Sequence, residues 1–243
     1  MLVLAKIVTN SLIFGDKELG NLGVIEYVDR PFLPPINPIT KEITGRDGVI
    51  YKTNNFGPLT IRVSIRLFND ITRNIDDIIF DLMELVYSKE TKSLNYKGKR
   101  VWYDAVLVDV SSYEKFRNSW AYMDLDFLVP SGFGRSRERY ESESFTTKTI
   151  NMSTVCPTKG IFSFTGSSNK ITNMRTGEFI EILNGNSAEF TIDCEKEIVM
   201  IKSNRTMDRL SYNSSFFDIK NGDKIVAKNP VKLKYYERYL YDR

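Results

Sequence analysis

The sequence predicts a mostly β protein: an α+β N-terminal domain with one helix packed on a sheet, then a C-terminal β-sandwich or jelly roll. Three observations carry this. Residues 59–68 (LTIRVSIRLF) alternate strictly between apolar and polar side chains, the period of a half-buried strand. Residues 74–88 hold the longest run with a helical period. After residue 160, short apolar runs recur between turn signals, the pattern of sandwiches and jelly rolls.

In the first run Leu59, Ile61, Val63, Ile65 and Leu67 face one way, and Thr60, Arg62, Ser64 and Arg66 the other. In the helical segment Ile75, Ile78, Ile79, Leu82, Met83, Leu85 and Val86 fall at the i, i+3, i+4, i+7 spacing of one buried face. Asn74 is placed to cap its start, and Asp76 and Asp77 lie in the first turn, where the helix dipole favours negative charge. Residues 101–110, with Trp102, Tyr103, Val106 and Val108, read as a strand. So do residues 122–129, where Asp124 and Asp126 alternate with Met123, Leu125 and Phe127. The order strand, helix, strand, strand predicts a sheet with the helix on one face.

The polar segment 131–148 reads as a linker, which places the domain boundary near residue 140: 1–140 and 141–243. Strands are expected beyond it at 161–165, 171–173, 179–183, 188–192, 198–201, 216–219, 224–227 and 230–238. Asn184-Gly185 and Asn221-Gly222 are tight-turn signals between them.

Composition removes most catalytic chemistry. The 243 residues include no histidine. Ser-His-Asp and Cys-His nucleophile pairs are therefore impossible, as are His-dependent metal sites. Cys156 and Cys194 fit no metal motif and read as buried thiols. No carboxylate pair stands out, although a two-carboxylate glycosidase needs no histidine. The expectation is no enzyme, no cofactor and no metal. A net charge of +3 without a clustered basic run argues against sequence-specific nucleic-acid binding. The first sixteen residues are broken by Lys6, Thr9, Asn10 and Ser11 and do not form a signal peptide, and no run approaches the roughly 20 apolar residues of a membrane span. Synthesis and folding in a cytoplasm are expected, with no membrane partner.

Residues 29–57 differ from their surroundings. Pro31, Pro34, Pro35 and Pro38 precede a Gly45-Arg46-Asp47-Gly48 turn, and two short β-type stretches flank it. Phe32, Leu33, Ile36, Ile43, Val49 and Tyr51 give this segment apolar surface outside the regular strands. It reads as an extended arm that grips a neighbouring protomer, with Arg46 and Asp47 at its turn.

The run from Arg30 to Phe68 resembles the N-terminal signature of phage distal tail proteins, the siphovirus tail component family. In that family a Pro-rich stretch leads to a Gly-Arg-Asp-Gly turn, an alternating strand and one helix. The Trp102-Tyr103-Asp104-Ala105 step and the strand closing on Pro130 are also similar, as is the closing hairpin over 216–222, Ile225 and 231–239. The resemblance implies a hexameric ring of N-terminal domains at the tip of a long non-contractile tail. It implies a tail tube protein on one side of the ring, and on the other the tail-tip hub, or tail-associated lysin, with the receptor-binding protein. It further implies a galectin-like C-terminal sandwich, passage of DNA through the lumen, and a final location in the virion.

One rival is a carbohydrate-binding adhesion module in the C-terminal domain, with Phe162, Phe164, Tyr212, Phe216 and Phe217 as candidate stacking platforms. Both tryptophans, Trp102 and Trp120, lie outside that domain. A cell-wall glycosidase is the second rival.

Overall fold

The computed structural model describes residues 12–44, 47–69, 71–96, 98–183 and 186–241. The N-terminal residues 1–11, Gly45 and Arg46 of the arm turn, and the Asn184-Gly185 turn lie outside the described residues. The fold is mostly β, with one α-helix among the described residues. The chain divides into two compact units. One comprises residues 1–134 together with 240–243, and the other residues 135–239.

The first unit contains β1 (Leu12–Phe14), β2 (Lys17–Glu18), β3 (Gly23–Asp29), β4 (Ile36–Glu42), β5 (Val49–Phe56) and β6 (Leu59–Phe68). After these come α1 (Ile75–Val86), β7 (Lys92–Tyr96), β8 (Val101–Phe116) and β9 (Trp120–Val129). Its main sheet runs in the order β2-β1-β7-β8-β9-β6-β3, and each neighbouring pair is antiparallel. The alternation of residues 59–68 is realised in full: Leu59, Ile61, Val63, Ile65 and Leu67 are all completely buried. Ala121, Met123, Leu125, Phe127 and Val129 of β9 join the same core. The helix packs against β6 through Ile75, Ile78, Leu82 and Val86. Asn74 caps it as expected, its Oδ1 accepting from the backbone N–H groups of Asp76 and Asp77 at 2.9 and 3.0 Å.

The opposite face of the sheet is polar and paired across strands. Arg62 stands opposite Asp126 and binds it bidentately at 2.8 and 3.0 Å. Ser64 stands opposite Asp124 and donates to it at 2.6 Å. Strand β8 runs to Phe116, six residues past the expected end, because its second half leaves the core and carries mostly exposed side chains. Two register shifts against β9 mark that departure.

The remaining strands are β10 (Gly134–Ser136), β11 (Tyr140–Glu141), β12 (Phe145–Thr149), β13 (Thr158–Lys159) and β14 (Ile161–Gly166). They continue as β15 (Asn169–Asn173), β16 (Phe179–Ile182), β17 (Ala188–Asp193), β18 (Ile198–Ile201) and β19 (Asn204–Arg205). The last are β20 (Asp218–Ile219), β21 (Lys224–Tyr235) and β22 (Arg238–Tyr239). Segment 131–148, read as a linker, thus carries three strands. Both β11 and β12 pair with β21 and expose most of their side chains, so polarity there marks strand edges and not a tether. The strand expected at 216–219 shortens to β20, because Phe216 and Phe217 turn toward the core.

The two strands expected at 224–227 and 230–238 are one continuous strand, β21. Its first part pairs with β15 and its last part with β14. Asn229-Pro230 sits at the switch between these partners, where proline's missing N–H leaves no ladder position unfilled. The buried amide of Asn169 serves the backbone there, accepting from Asn229 N–H at 2.9 Å and donating to Asn229 C=O at 3.1 Å. The two halves joined through β21 enclose one apolar core, with Phe162, Ile171, Ile180, Ile192, Val199 and Leu233 among its fully buried members. Cys156 and Cys194 are free and buried, and burial pushes the Cys194 thiol up to about 12.

Below this core lies a buried ionic knot. The Asp223 side chain has no solvent exposure. It accepts from both Nε and Nη2 of Arg175, from Asn173 Nδ2 at 2.8 Å and from Lys220 N–H at 3.0 Å. Burial alone would raise its pKa, but these bonds outweigh burial and hold the carboxyl below the usual range. On the sheet of the first unit, Arg62 likewise holds Asp126 low. Both folded values are depressed. Each group therefore adds stability that is complete above the unfolded value of about 3.9 and is lost as pH falls through its folded pKa. The thermal midpoint should be flat near neutrality and fall below about pH 4. Calorimetry across that range checks this, and an Asp223→Asn variant should show a shallower acid slope.

Candidate assembly surface: the arm hairpin

Strands β4 and β5 form a two-stranded sheet of their own. Their register runs from Ile36 opposite Phe56 to Glu42 opposite Val49, with one shift between Ile39 and Thr40. An apolar hairpin normally survives by packing one face on a core. Here all residues of β4 are exposed, as are Val49, Ile50, Tyr51, Asn55 and Phe56 of β5. Phe32, Leu33, Ile36, Ile43, Val49 and Tyr51 all lie on this exposed segment, with Phe32 at 68% and Tyr51 at 57% exposure. Asp47 is exposed in the turn, and Arg46 lies outside the described residues. Ile39, Ile50 and Phe56 extend the same apolar surface and were not singled out by sequence. The signal for them was the β-type stretch itself.

The base of the hairpin, unlike its length, is anchored. Gly57 N–H donates to Pro35 C=O at 2.7 Å, closing the neck. Pro34 is buried, and Phe56 meets Phe133 edge-on at 5.3 Å. Gly132 has φ +70°, and a Cβ there would stand 2.4 Å from Gly57 O, so only glycine fits. Arg30 lies between the rings of Tyr103 and Tyr241, at 5.3 and 5.2 Å, and donates to Leu240 C=O at 2.6 Å. Phe32 packs on Tyr241 at 4.7 Å. The tail residues Leu240 and Tyr241 thereby brace the root of the arm, a role with no signature in the sequence.

A second exposed surface was also missed. Phe68, Trp120 and Phe116 stand in register across β6, β9 and β8, with Phe116 and Trp120 stacked at 5.7 Å. Phe68 and Phe116 are about half exposed. Arg66 lies over Trp120 at 5.4 Å and forms an ion pair with Glu26 at 2.7 Å. Phe68 sits in the polar register of its strand, so alternation alone should have flagged it as an outward aromatic. The fold thus presents an exposed apolar hairpin and an outward aromatic row. Among the described residues no cluster of three or more metal-ligating side chains occurs, and no helix is long and apolar enough to cross a membrane.

Two family profiles match the sequence. Residues 17–129 match the phage tail protein RIFT-related domain. Residues 152–239 match the siphovirus-type tail component, C-terminal domain. No curated protein matches the sequence. Among solved structures, the Dit (gp 19.1) protein of phage SPP1, described as a paradigm of hub adsorption apparatus in phages infecting Gram-positive bacteria, is similar with a TM-score of 0.77. It is 13% identical, and the match covers 95% of this chain and 99% of that one. A chain of the phage P2 baseplate in its activated conformation with Ca is similar with a TM-score of 0.52 at 10% identity, covering 96% of this chain and 93% of that one. The same figures hold for the P2 baseplate with Sr. With the two profiles covering most of its length in the family's order, the chain belongs to the siphovirus tail component family, the phage distal tail proteins, and is a structural part of a phage tail.

Proposed function

We propose that six copies of the chain close into a ring at the tip of a long non-contractile tail. The ring joins the tail tube to the tail-tip hub, or tail-associated lysin, and to the receptor-binding apparatus, and DNA passes through its lumen. The observation that carries this reading is the arm, an apolar hairpin fixed at its root and unpacked along its length. A head-to-tail contact whose rotation closes makes a ring without any cofactor, and an arm reaching a neighbour supplies such a contact. The resemblance to distal tail proteins supplies the number six. The ring-forming part is residues 1–140, and residues 141–243 form the C-terminal domain. The work is done by surface complementarity and not by catalysis, in keeping with a sequence that has no histidine.

Immunogold labelling of virions that carry this chain tests the placement. Gold is expected at the distal end of the tail tube; label on the capsid or along the tube contradicts the reading. Pure protein is expected to release neither sugar nor peptide from bacterial cell wall. Release abolished by a single carboxylate substitution would establish the glycosidase instead.

A further inference from the structure

Helix α1 holds to the core through Ile75, Ile78, Leu82 and Val86. The opposite side of such a helix should meet water with polar side chains. Here the positions that point most directly outward are aromatic. Phe80 stands two residues from both Ile78 and Leu82, a rotation of about 200° from each, and is 62% exposed. Tyr87, the C-cap, follows seven residues later. That places it about 20° off the same line and about 10 Å further along the axis, where it is 66% exposed. Met83 and Glu84 lie between the two rings, at the i+3 and i+4 positions from Phe80.

The charges on this helix have one sign. It carries Asp76, Asp77, Asp81 and Glu84 and no Lys or Arg, in a chain of net charge +3. Three of the four have a local purpose. Asp76 pairs with Lys115 at 2.5 Å and Asp81 with Arg73 at 3.5 Å. Asp77 sits in the first turn, where the helix dipole favours a carboxylate. Glu84 has no such purpose. It lies in the last turn, where the dipole disfavours negative charge, and no basic residue in that turn offsets it. Among the described residues it has no cation partner. Two exposed rings with an uncompensated carboxylate between them break the rules of a helix surface at one spot, and such breaks collect at functional sites.

We propose, resting on the tail-assembly reading above, that Phe80, Glu84 and Tyr87 dock an arginine-bearing segment of another tail protein, the guanidinium pairing with Glu84 and stacking on the rings. Arginine does both, because its planar guanidinium lies on aromatic faces and also pairs bidentately with a carboxylate. Tyrosine and arginine are the residue types that dominate interface energies. The negative potential of this helix turns away nucleic acid and anionic lipid. A second copy meeting the same face about a two-fold axis would set like charges against each other. The arm strands β4 and β5 share no residue with this face, so this contact is additional to ring closure.

Photo-cross-linking in assembled tails tests this. Phe80 is replaced by p-benzoylphenylalanine in the full-length chain, the tails are irradiated, and the cross-linked peptides are sequenced by mass spectrometry. The same probe at Tyr87 gives a second reading where the first prevents assembly. Cross-links are expected to a tail protein other than this chain, within a peptide that contains arginine. Adding Glu84→Arg should cut their yield at least about tenfold. It should not lower the melting temperature of the purified protein, since a cation suits the last turn of a helix. A third probe, at Tyr51 in the arm, should cross-link to a second copy of this chain. Its failure would count against the ring and not against the helix face. Absence of cross-links from the helix probes overturns the proposal, whatever the arm probe does. So do cross-links only to copies of this chain, or a yield that Glu84→Arg leaves unchanged.

Discussion

Deleting the arm should leave a folded protein that cannot close a ring. Strands β4 and β5 pair with each other in their own two-stranded sheet, and none of their described side chains is a fully buried core residue. Replacing residues 36–56 with a short Gly-Ser link therefore removes little from the core of the first unit. The loss to assembly is large. Ile36, Ile39, Ile43, Val49, Ile50, Tyr51 and Phe56 are all exposed in the isolated chain. Burying an apolar side chain fully contributes about 1.5–3 kcal/mol, and these are about half exposed already. Their combined burial reaches several kcal/mol, comparable with the association cost it has to exceed. A milder double variant, Val49→Asp with Tyr51→Asp, should weaken association at least a hundredfold, since it also buries two unpaired charges. Sedimentation velocity over a concentration series reads the shift, and a near-native circular dichroism melt shows that the fold survived. An arm-deleted protein that still sediments as the full ring would refute the role given to the arm.

Removing Asp223 should be the most damaging single polar substitution in the second unit. Asp223→Ala strips the acceptor from Arg175, from the fully buried Asn173 amide and from the Lys220 N–H at once. Arg175 is nearly half exposed and can turn to water, but leaving the Asn173 amide and the Lys220 N–H without this acceptor costs about 1–3 kcal/mol each. For a unit of this size each kcal/mol lowers the melting temperature by about 4–8 °C, so a fall of more than 10 °C is expected. Asp223→Asn keeps an acceptor and should cost less than half as much. Surface pairs give the contrast. Glu141 and Lys234 meet at 2.9 Å but are both well exposed, and Glu141→Ala should leave the melting temperature nearly unchanged. An Asp223→Ala protein that melts within 3 °C of the parent would show that the knot is not holding this unit together.

Much of this was legible where one physical rule dominates. The alternation of residues 59–68 predicted β6 because a strand with one face on the core has a period of two, and each of its five inward residues is fully buried. Asn74 and the Ile75, Ile78, Leu82, Val86 stripe fixed the helix and its start for the same reason. The exposed arm could be read because proline and turn residues bracket apolar side chains, which lie in a separate two-stranded hairpin and not in the main sheet.

The misses share a cause as well. Strands β11 and β12 are short, polar pieces whose existence depends on the ladder that β21 offers them, and composition alone reads such pieces as linker. The unity of β21 was hidden by Asn229-Pro230, because the side chain that compensates for the bend, Asn169, lies sixty residues away in sequence. Asp223 follows Asn221-Gly222 and reads as a turn residue; only the folded chain brings Arg175 and Asn173 to it. The clamp on the arm, Arg30 against Tyr103 and Tyr241, joins residues from three distant parts of the chain.

Native mass spectrometry of the purified full-length protein tests self-assembly into a closed ring through the arm most directly. A single dominant species with six times the mass of the chain is predicted, and it should collapse to the monomer in the Val49→Asp, Tyr51→Asp variant. A monomer at all concentrations, or an open series of masses with no preferred closed state, would contradict it.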